Sequence, residues 1–167
     1  MATIVIPFRQ DASKSRLGKV GRELATAMLA DVRAAAAPLA ATLLAEAPGG
    51  QGEAVVAALR GVRGEVAIVN ADLPCATTAD LERLLAATPA LVAAADGTTN
   101  AIALPDPALF RPLYGPGSAA RFAALGLARL DLPNLADDVD TLADLERVAA
   151  RAGPRTLAAL EALRVRA

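Results

Sequence analysis

Apolar runs of strand length alternate with stretches patterned at helical spacing along much of this 167-residue chain, which is how βα units read. Ala2–Phe8 is almost wholly apolar and predicts a first strand. A polar loop, Arg9–Lys19, follows. Val20, Leu24, Met28, Leu29 and Val32 then line one face of a helix that Pro38 ends. Leu39–Leu44 fits a strand or a short helix equally, and Pro48-Gly49-Gly50-Gln51-Gly52 breaks the chain ahead of a helix over Glu53–Leu59. Glu65–Asn70 predicts a second strand running into Ala71-Asp72-Leu73-Pro74, after which Thr77 or Thr78 caps a helix through about Ala87. Leu91–Ala95 and Asn100–Leu104 read as two more strands around Asp96-Gly97-Thr98-Thr99. Turn-rich Tyr114–Ser118 precedes a short helix over Ala119–Leu125, and Ala128–Leu132 predicts a further strand. Asp138-Val139-Asp140-Thr141 leads into a helix, with Thr141 and Asp144 spaced as a capping box in which Asp stands where Glu is usual. A last amphipathic helix closes the chain. Without internal repeats or long low-complexity linkers, the pattern predicts an α/β fold, one domain over residues 1–167 with a mixed or doubly wound sheet.

Composition changes this picture mainly by exclusion. The hydrophobic share of 54% owes its excess to alanine, a good helix former. Its longest nearly apolar run, Ala34–Ala45, is interrupted by Pro38 and Thr42 and falls short of the ~18 residues of a spanning helix, so no membrane partner is expected. No basic residue precedes Ala2–Phe8, so a signal peptide is not expected either and the chain reads as cytoplasmic. Seventeen basic against eighteen acidic residues leave no cationic surplus for polymeric nucleic acid. The single cysteine, Cys75, permits no internal disulfide and no thiolate cluster. Histidine is absent, which excludes serine triads, cysteine–histidine pairs and histidine zinc sites. Any catalysis must use carboxylates, cations, hydroxyls, backbone amides or a hard metal. A small domain this rich in apolar residues is also compatible with a homodimer.

Ligands of open α/β sheets collect at the carboxyl ends of strands. Asp72 directly follows one. Asp138 and Asp140 are spaced i, i+2, so in extended backbone both carboxylates point one way while Val139 points to the core. Three such carboxylates repel unless a cation lies among them, and hard oxygen ligands suit Mg²⁺ or Mn²⁺ bridging to phosphates. The same aspartates also read as ordinary turn formers and N-caps. The first loop holds Arg9, Lys14, Arg16 and Lys19, and Lys14 and Lys19 are the only two lysines of the chain. Lysine as a point charge and arginine as a fork together suit a triphosphate, though a solvated surface loop has the same composition. Gly115 and Gly117 before Ser118 offer backbone amides at a helix start, an anion site by geometry or else a plain turn. Thr99 and Asn100 add a hydroxyl and an amide to the same ligand. Phe110, Tyr114 and Phe122 cluster near this segment, where packing accounts for them better than base stacking.

Taken in order, Lys14-Ser15-Arg16-Leu17, Ala71-Asp72-Leu73-Pro74, Thr99-Asn100, Gly115-Pro116-Gly117-Ser118 with Ala120-Arg121, and Asp138-Val139-Asp140-Thr141 resemble the 2-phospho-L-lactate and phosphoenolpyruvate guanylyltransferases of coenzyme F-420 biosynthesis. The resemblance runs from Ile4 to Leu145. It implies a fold like that of nucleotide-diphospho-sugar transferases (Rossmann-like), GTP and a small phosphorylated acid as substrates, and Mg²⁺ held by Asp72, Asp138 and Asp140. By the same resemblance Thr99, Gly115 and Ser118 match positions that hold the acceptor carboxylate, and Lys14 and Arg16 match the cationic loop for the triphosphate. The family usually has a further βα unit after the first helix, whereas here Ala37 runs almost directly into the Pro48–Gly52 loop. The expectation is therefore a sheet shortened by about one βα unit. A molybdenum-cofactor guanylyltransferase of the same fold is the nearest rival, but no glycine precedes Lys14 as such enzymes' loops would have it. A non-catalytic nucleotide- or metal-binding module is the other alternative, against which all three aspartates weigh.

Overall fold

The computed structural model describes residues 2–8 and 21–166. In chain order these build β1 (Thr3–Pro7), α1 (Gly21–Ala36), β2 (Ala41–Ala45), α2 (Gln51–Ala58), β3 (Val66–Val69), α3 (Thr78–Ala86), β4 (Ala90–Ala93) and β5 (Thr99–Leu104). After β5 come α4 (Ser118–Ala124), β6 (Ala128–Arg129), α5 (Pro133–Ala136), α6 (Leu142–Val148) and α7 (Pro154–Arg166). The six strands form one mixed sheet in the order β2-β1-β3-β5-β4-β6. β1 pairs parallel with β2 and β3, β5 runs antiparallel between β3 and β4, and β4 pairs parallel with β6.

Strands buried on both faces read as continuous apolar runs, and β3, with all four residues buried, is of that kind. One face of the sheet packs Ile4, Ile6, Ala67 and Val69 against Leu29 and Val32 of α1, Leu81 and Leu84 of α3, and Leu135 of α5. The other packs Val5, Val66, Ile68 and Ile102 against Val55 of α2 and Phe122 of α4. Leu24 and Met28 of α1, Cys75, Val139, Val148 of α6 and Leu160 of α7 make a third cluster beside the sheet. Phe110, Tyr114 and Phe122 pack on one another, with ring centroids 5.6 to 6.4 Å apart, so their role is packing as the sequence suggested.

The ambiguous Leu39–Leu44 is the strand β2, and α2 follows it, so the interval expected to be short still closes this edge of the sheet. Alternating exposure along β2 explains why its pattern was indecisive. The strand anticipated over Ala128–Leu132 is only two residues long. Pro133 then begins the short helix α5, which the pattern did not predict, with proline at a first-turn position where its missing N–H costs nothing. The capping box expected at α6 forms, and α3 has one as well. The Thr77 side chain accepts from Asp80 N while Asp80 accepts from Thr77 N, and Thr141 and Asp144 repeat the arrangement at α6.

Candidate functional site

Three strand ends determine where chemistry can occur. β3 runs parallel to β1 and ends at Val69, which places Asp72 in the turn just beyond the sheet. β5 is antiparallel to β3, with Val69 opposite Ala101, so the start of β5 lies at that same end. The pairing of β5 with β4 passes from Ala101 opposite Val92 to Thr99 opposite Ala93, skipping Asn100. A bulge of this kind re-aims a side chain. Thr99 consequently reaches Ser118 at the start of α4, their hydroxyl oxygens 2.8 Å apart, while Asn100 donates to Ala136 O at 3.1 Å and to Asp138 Oδ1 at 3.3 Å.

The segment after α5 brings the remaining carboxylates into place. Val139 is fully buried in the third cluster, and its N–H donates to Asp72 O at 3.0 Å. Burying a valine contributes about 1.5–3 kcal/mol, enough to fix the orientation of its two neighbours. One carboxylate oxygen from each of Asp72, Asp138 and Asp140 then lies within 4.8 Å of the others. Burial pushes the Asp138 carboxyl above the usual carboxylate range, and the negative charge of Asp72 adds to this while the Asn100 amide opposes it. Asp137, one residue earlier, shows the opposite behaviour: Arg151 and Arg147 bind its oxygens and hold it below the usual range. The triad thus consists of hard oxygens gathered against their own repulsion, and its donor chemistry fits Mg²⁺ or Mn²⁺. Among the described residues no other group of three acids or sulfur ligands converges in this way.

Beside the triad opens a cleft of about 270 Å³, walled by Pro7, Phe8, Met28, Gln51, Asn70 and Asp72. Two further predicted positions, Gly115 and Gly117, take left-handed conformations with φ of 109° and 72°, which glycine adopts without steric cost. Arg121 fastens their loop by donating to Leu113 O, Pro116 O and Tyr114 O. Ser118 is fully buried and its side chain holds Thr99, while Pro116 and Gly117 before it are exposed. The structure therefore brings together Asp72, Asp138, Asp140 and Asn100 in one group and Thr99 with Ser118 in another, joined through the adjacent residues of β5. Lys14 and Arg16 lie outside the described residues. Sequence reasoning did not single out Gln51, Asn70 and Arg121 as site residues, because an isolated amide or arginine carries no local signal.

No protein-family model matches the chain. A structure provisionally described as a nucleotide-diphospho-sugar transferase, from Desulfovibrio desulfuricans G20, superposes with a TM-score of 0.73 at 20% identity, covering 98% of this chain and 95% of that one. A nucleotidyl transferase from Methanothermobacter superposes with a TM-score of 0.58 at 12% identity, covering 89% and 95%. The fold is thus that of the nucleotidyltransferases related to nucleotide-diphospho-sugar transferases. In sequence, the phosphoenolpyruvate guanylyltransferase of Streptomyces coelicolor is 35% identical over 93% of this chain and 81% of its own length. Phosphoenolpyruvate guanylyltransferase 2 of Rhodococcus jostii is 33% identical over 87% and 83%. That of Sphaerobacter thermophilus is 42% identical over 57% of this chain, a match spanning 51% of the longer protein. The chain belongs to the phosphoenolpyruvate guanylyltransferase family.

Proposed function

We propose that this protein transfers GMP from GTP to the phosphate of a small phosphorylated acid, phosphoenolpyruvate or 2-phospho-L-lactate, with release of pyrophosphate, as a step of coenzyme F-420 biosynthesis. The observation that carries the reading is the convergence of Asp72, Asp138 and Asp140 within 4.8 Å beside an open cleft, in a chain of this family. The domain acts as one unit over residues 1–167, in the cytoplasm. No helix of the described residues is long and apolar enough to cross a membrane.

The chemistry suits a chain without histidine. An acceptor phosphate has its second pKa near ~6 and is already a dianionic nucleophile at neutral pH, so no general base is needed. Its oxygen attacks the α-phosphorus of GTP, the bond from that phosphorus to the bridging oxygen breaks, and pyrophosphate carries the electron pair away. Asp72, Asp138 and Asp140 would hold Mg²⁺, which when bound neutralises charge on the phosphates and the departing pyrophosphate. The remaining work is positioning. Val139 anchors the segment that aims Asp138 and Asp140, and Asn100 holds Asp138 by its amide. The loop fastened by Arg121 offers backbone amides to the acceptor carboxylate around Gly115 and Gly117, with Thr99 and Ser118 bracing its base. Lys14 and Arg16 would bind the triphosphate.

Pyrophosphate release in Mg²⁺, with GTP or ATP offered against phosphoenolpyruvate, 2-phospho-L-lactate and 3-phospho-D-glycerate, tests the reading. Release that requires both GTP and one acceptor is expected. A folded protein silent with every pair would instead favour a binding module.

A further inference from the structure

Between the cleft and the acidic triad runs an unbroken chain of side-chain amides. Gln51 Nε2 donates to Asn70 Oδ1 at 2.7 Å, Asn70 Nδ2 donates to Asn100 Oδ1 at 3.4 Å, and Asn100 Nδ2 donates to Asp138 Oδ1 at 3.3 Å. Backbone carbonyls fix the direction of each link. Ala136 O can only accept, so the atom Asn100 turns toward it is its NH₂ group, and the Asn100 oxygen must face the other way. Thr99 O imposes the same orientation on Asn70, whose oxygen is thereby left to receive Gln51. No member can flip without opposing two acceptors to each other.

The two ends of this chain sit in different surroundings. Gln51, in the first turn of α2, and Asn70, just past β3, both wall the cleft. Asn100 is 2% exposed and reaches Asp138 because the bulge in β5 turns it there. Hydrogen bonds linked in series inside a protein polarise one another, so a change at one end alters the strength and angle of the bond at the other. Side chains that hydrogen-bond a metal-binding carboxylate orient it, and removing one typically costs about 10–100-fold in metal affinity.

We infer that Asn70 and Asn100 are positioning residues for Asp138, and that Gln51 makes the wall of the cleft part of the same device, so that an occupant of the cleft adjusts the triad's grip on its cation. The inference rests on the metal reading of Asp72, Asp138 and Asp140. Neither asparagine touches the reacting phosphates in this scheme; each acts through the carboxylate.

The test is Mn²⁺ binding without nucleotide, read from the loss of the free-ion electron paramagnetic resonance signal, together with the thermal unfolding midpoint of each variant. Asn70→Ala should weaken Mn²⁺ by about ten-fold, and Gln51→Ala by less, with a midpoint shift too small to account for either. A merely structural asparagine would lower the midpoint and leave the affinity alone, so wild-type Mn²⁺ affinity in Asn70→Ala would overturn the inference. Asn70→Ser, the gentler truncation, gives the same reading if the alanine variant does not fold. Asp138→Asn separates the two claims: if it binds Mn²⁺ as tightly as the wild type, the metal reading itself fails and the inference with it.

Discussion

Two aspartate sites in this molecule differ in how the fold surrounds their carboxylates, one buried and the other partly open to solvent. Asp31, on α1 and only 5% exposed, accepts from Arg155 N at 3.2 Å, Thr156 N at 2.8 Å and Thr156 Oγ1 at 2.7 Å, all at the N-terminal turn of α7. A carboxylate there meets N–H groups and the positive end of the helix dipole, so the fold itself supplies its partners. Gly153 permits the approach, because a Cβ at that position would lie 2.3 Å from Asp31 Cγ. Asp72, Asp138 and Asp140 converge on one another instead. The nearby Arg147 and Arg151 go to Asp137, leaving Asp138 with burial and a neighbouring negative charge acting against its ionisation. A carboxylate that its own fold completes in this way is structural, whereas carboxylates drawn together against their mutual repulsion offer hard oxygens that a cation can use.

The largest test of this contrast is on turnover. Asp138→Asn or Asp72→Asn should lower Mg²⁺-dependent pyrophosphate release by about 10³-fold or more, the scale of losing electrostatic stabilisation of transferring phosphates. In metal-free buffer Asp138→Asn should unfold at a slightly higher temperature than the wild type, because it removes a charge that its surroundings disfavour. Asp31→Ala should do the reverse, costing about 2–4 kcal/mol in urea unfolding while the folded fraction keeps its specific activity. Loss of activity in proportion beyond unfolding would merge the two sites and break the comparison.

A smaller effect, dependent on pH, is expected at the α6 cap. The Thr141 hydroxyl holds the Asp144 carboxyl below its usual range, so folding favours the ionised form. The stabilisation is full above an unfolded pKa near ~4 and is lost as pH falls through the lower folded value. Asp144→Asn should therefore cost about 1 kcal/mol at pH 7, and urea midpoints of variant and wild type should draw together as the pH falls below the carboxylate range. Smallest of all, Arg121→Met should release the loop around Gly115 and Gly117, raising KM for the acceptor a few-fold with little change in midpoint, since the guanidinium is exposed.

Much of the architecture was legible because its signals are local. Apolar runs marked β1 and β3, the stripe from Leu24 to Val32 marked α1, Thr77 was one of two caps read for α3, and the Thr141/Asp144 spacing marked a helix start that the structure confirms as a capping box. Alternation around Val139 likewise anticipated a buried valine between two aspartates facing one way. What escaped depends on contacts distant in sequence. Asp31 meets Thr156 across 125 residues, and nothing near Asp31 foretells it. The bulge at Asn100 is a property of pairing between β5 and β4, not of β5 alone. Asn100 was read as a substrate contact from its place beside Thr99, and its hydrogen bonds to Ala136 O and Asp138 Oδ1, 36 and 38 residues away, were not foreseen. The expected triphosphate contacts, Lys14 and Arg16, lie outside the described residues and stand on the resemblance alone.

Whether this triad serves the joining of a nucleotide to a phosphorylated acid can be read from ³¹P nuclear magnetic resonance of GTP and phosphoenolpyruvate incubated with Mg²⁺ and either the wild type or Asp138→Asn. A new pair of coupled diphosphate resonances should grow in step with pyrophosphate in the wild type, and neither should appear with the variant. The same new resonances at an undiminished rate with Asp138→Asn, or conversion of GTP to GDP and free phosphate with the acceptor untouched, would contradict that role.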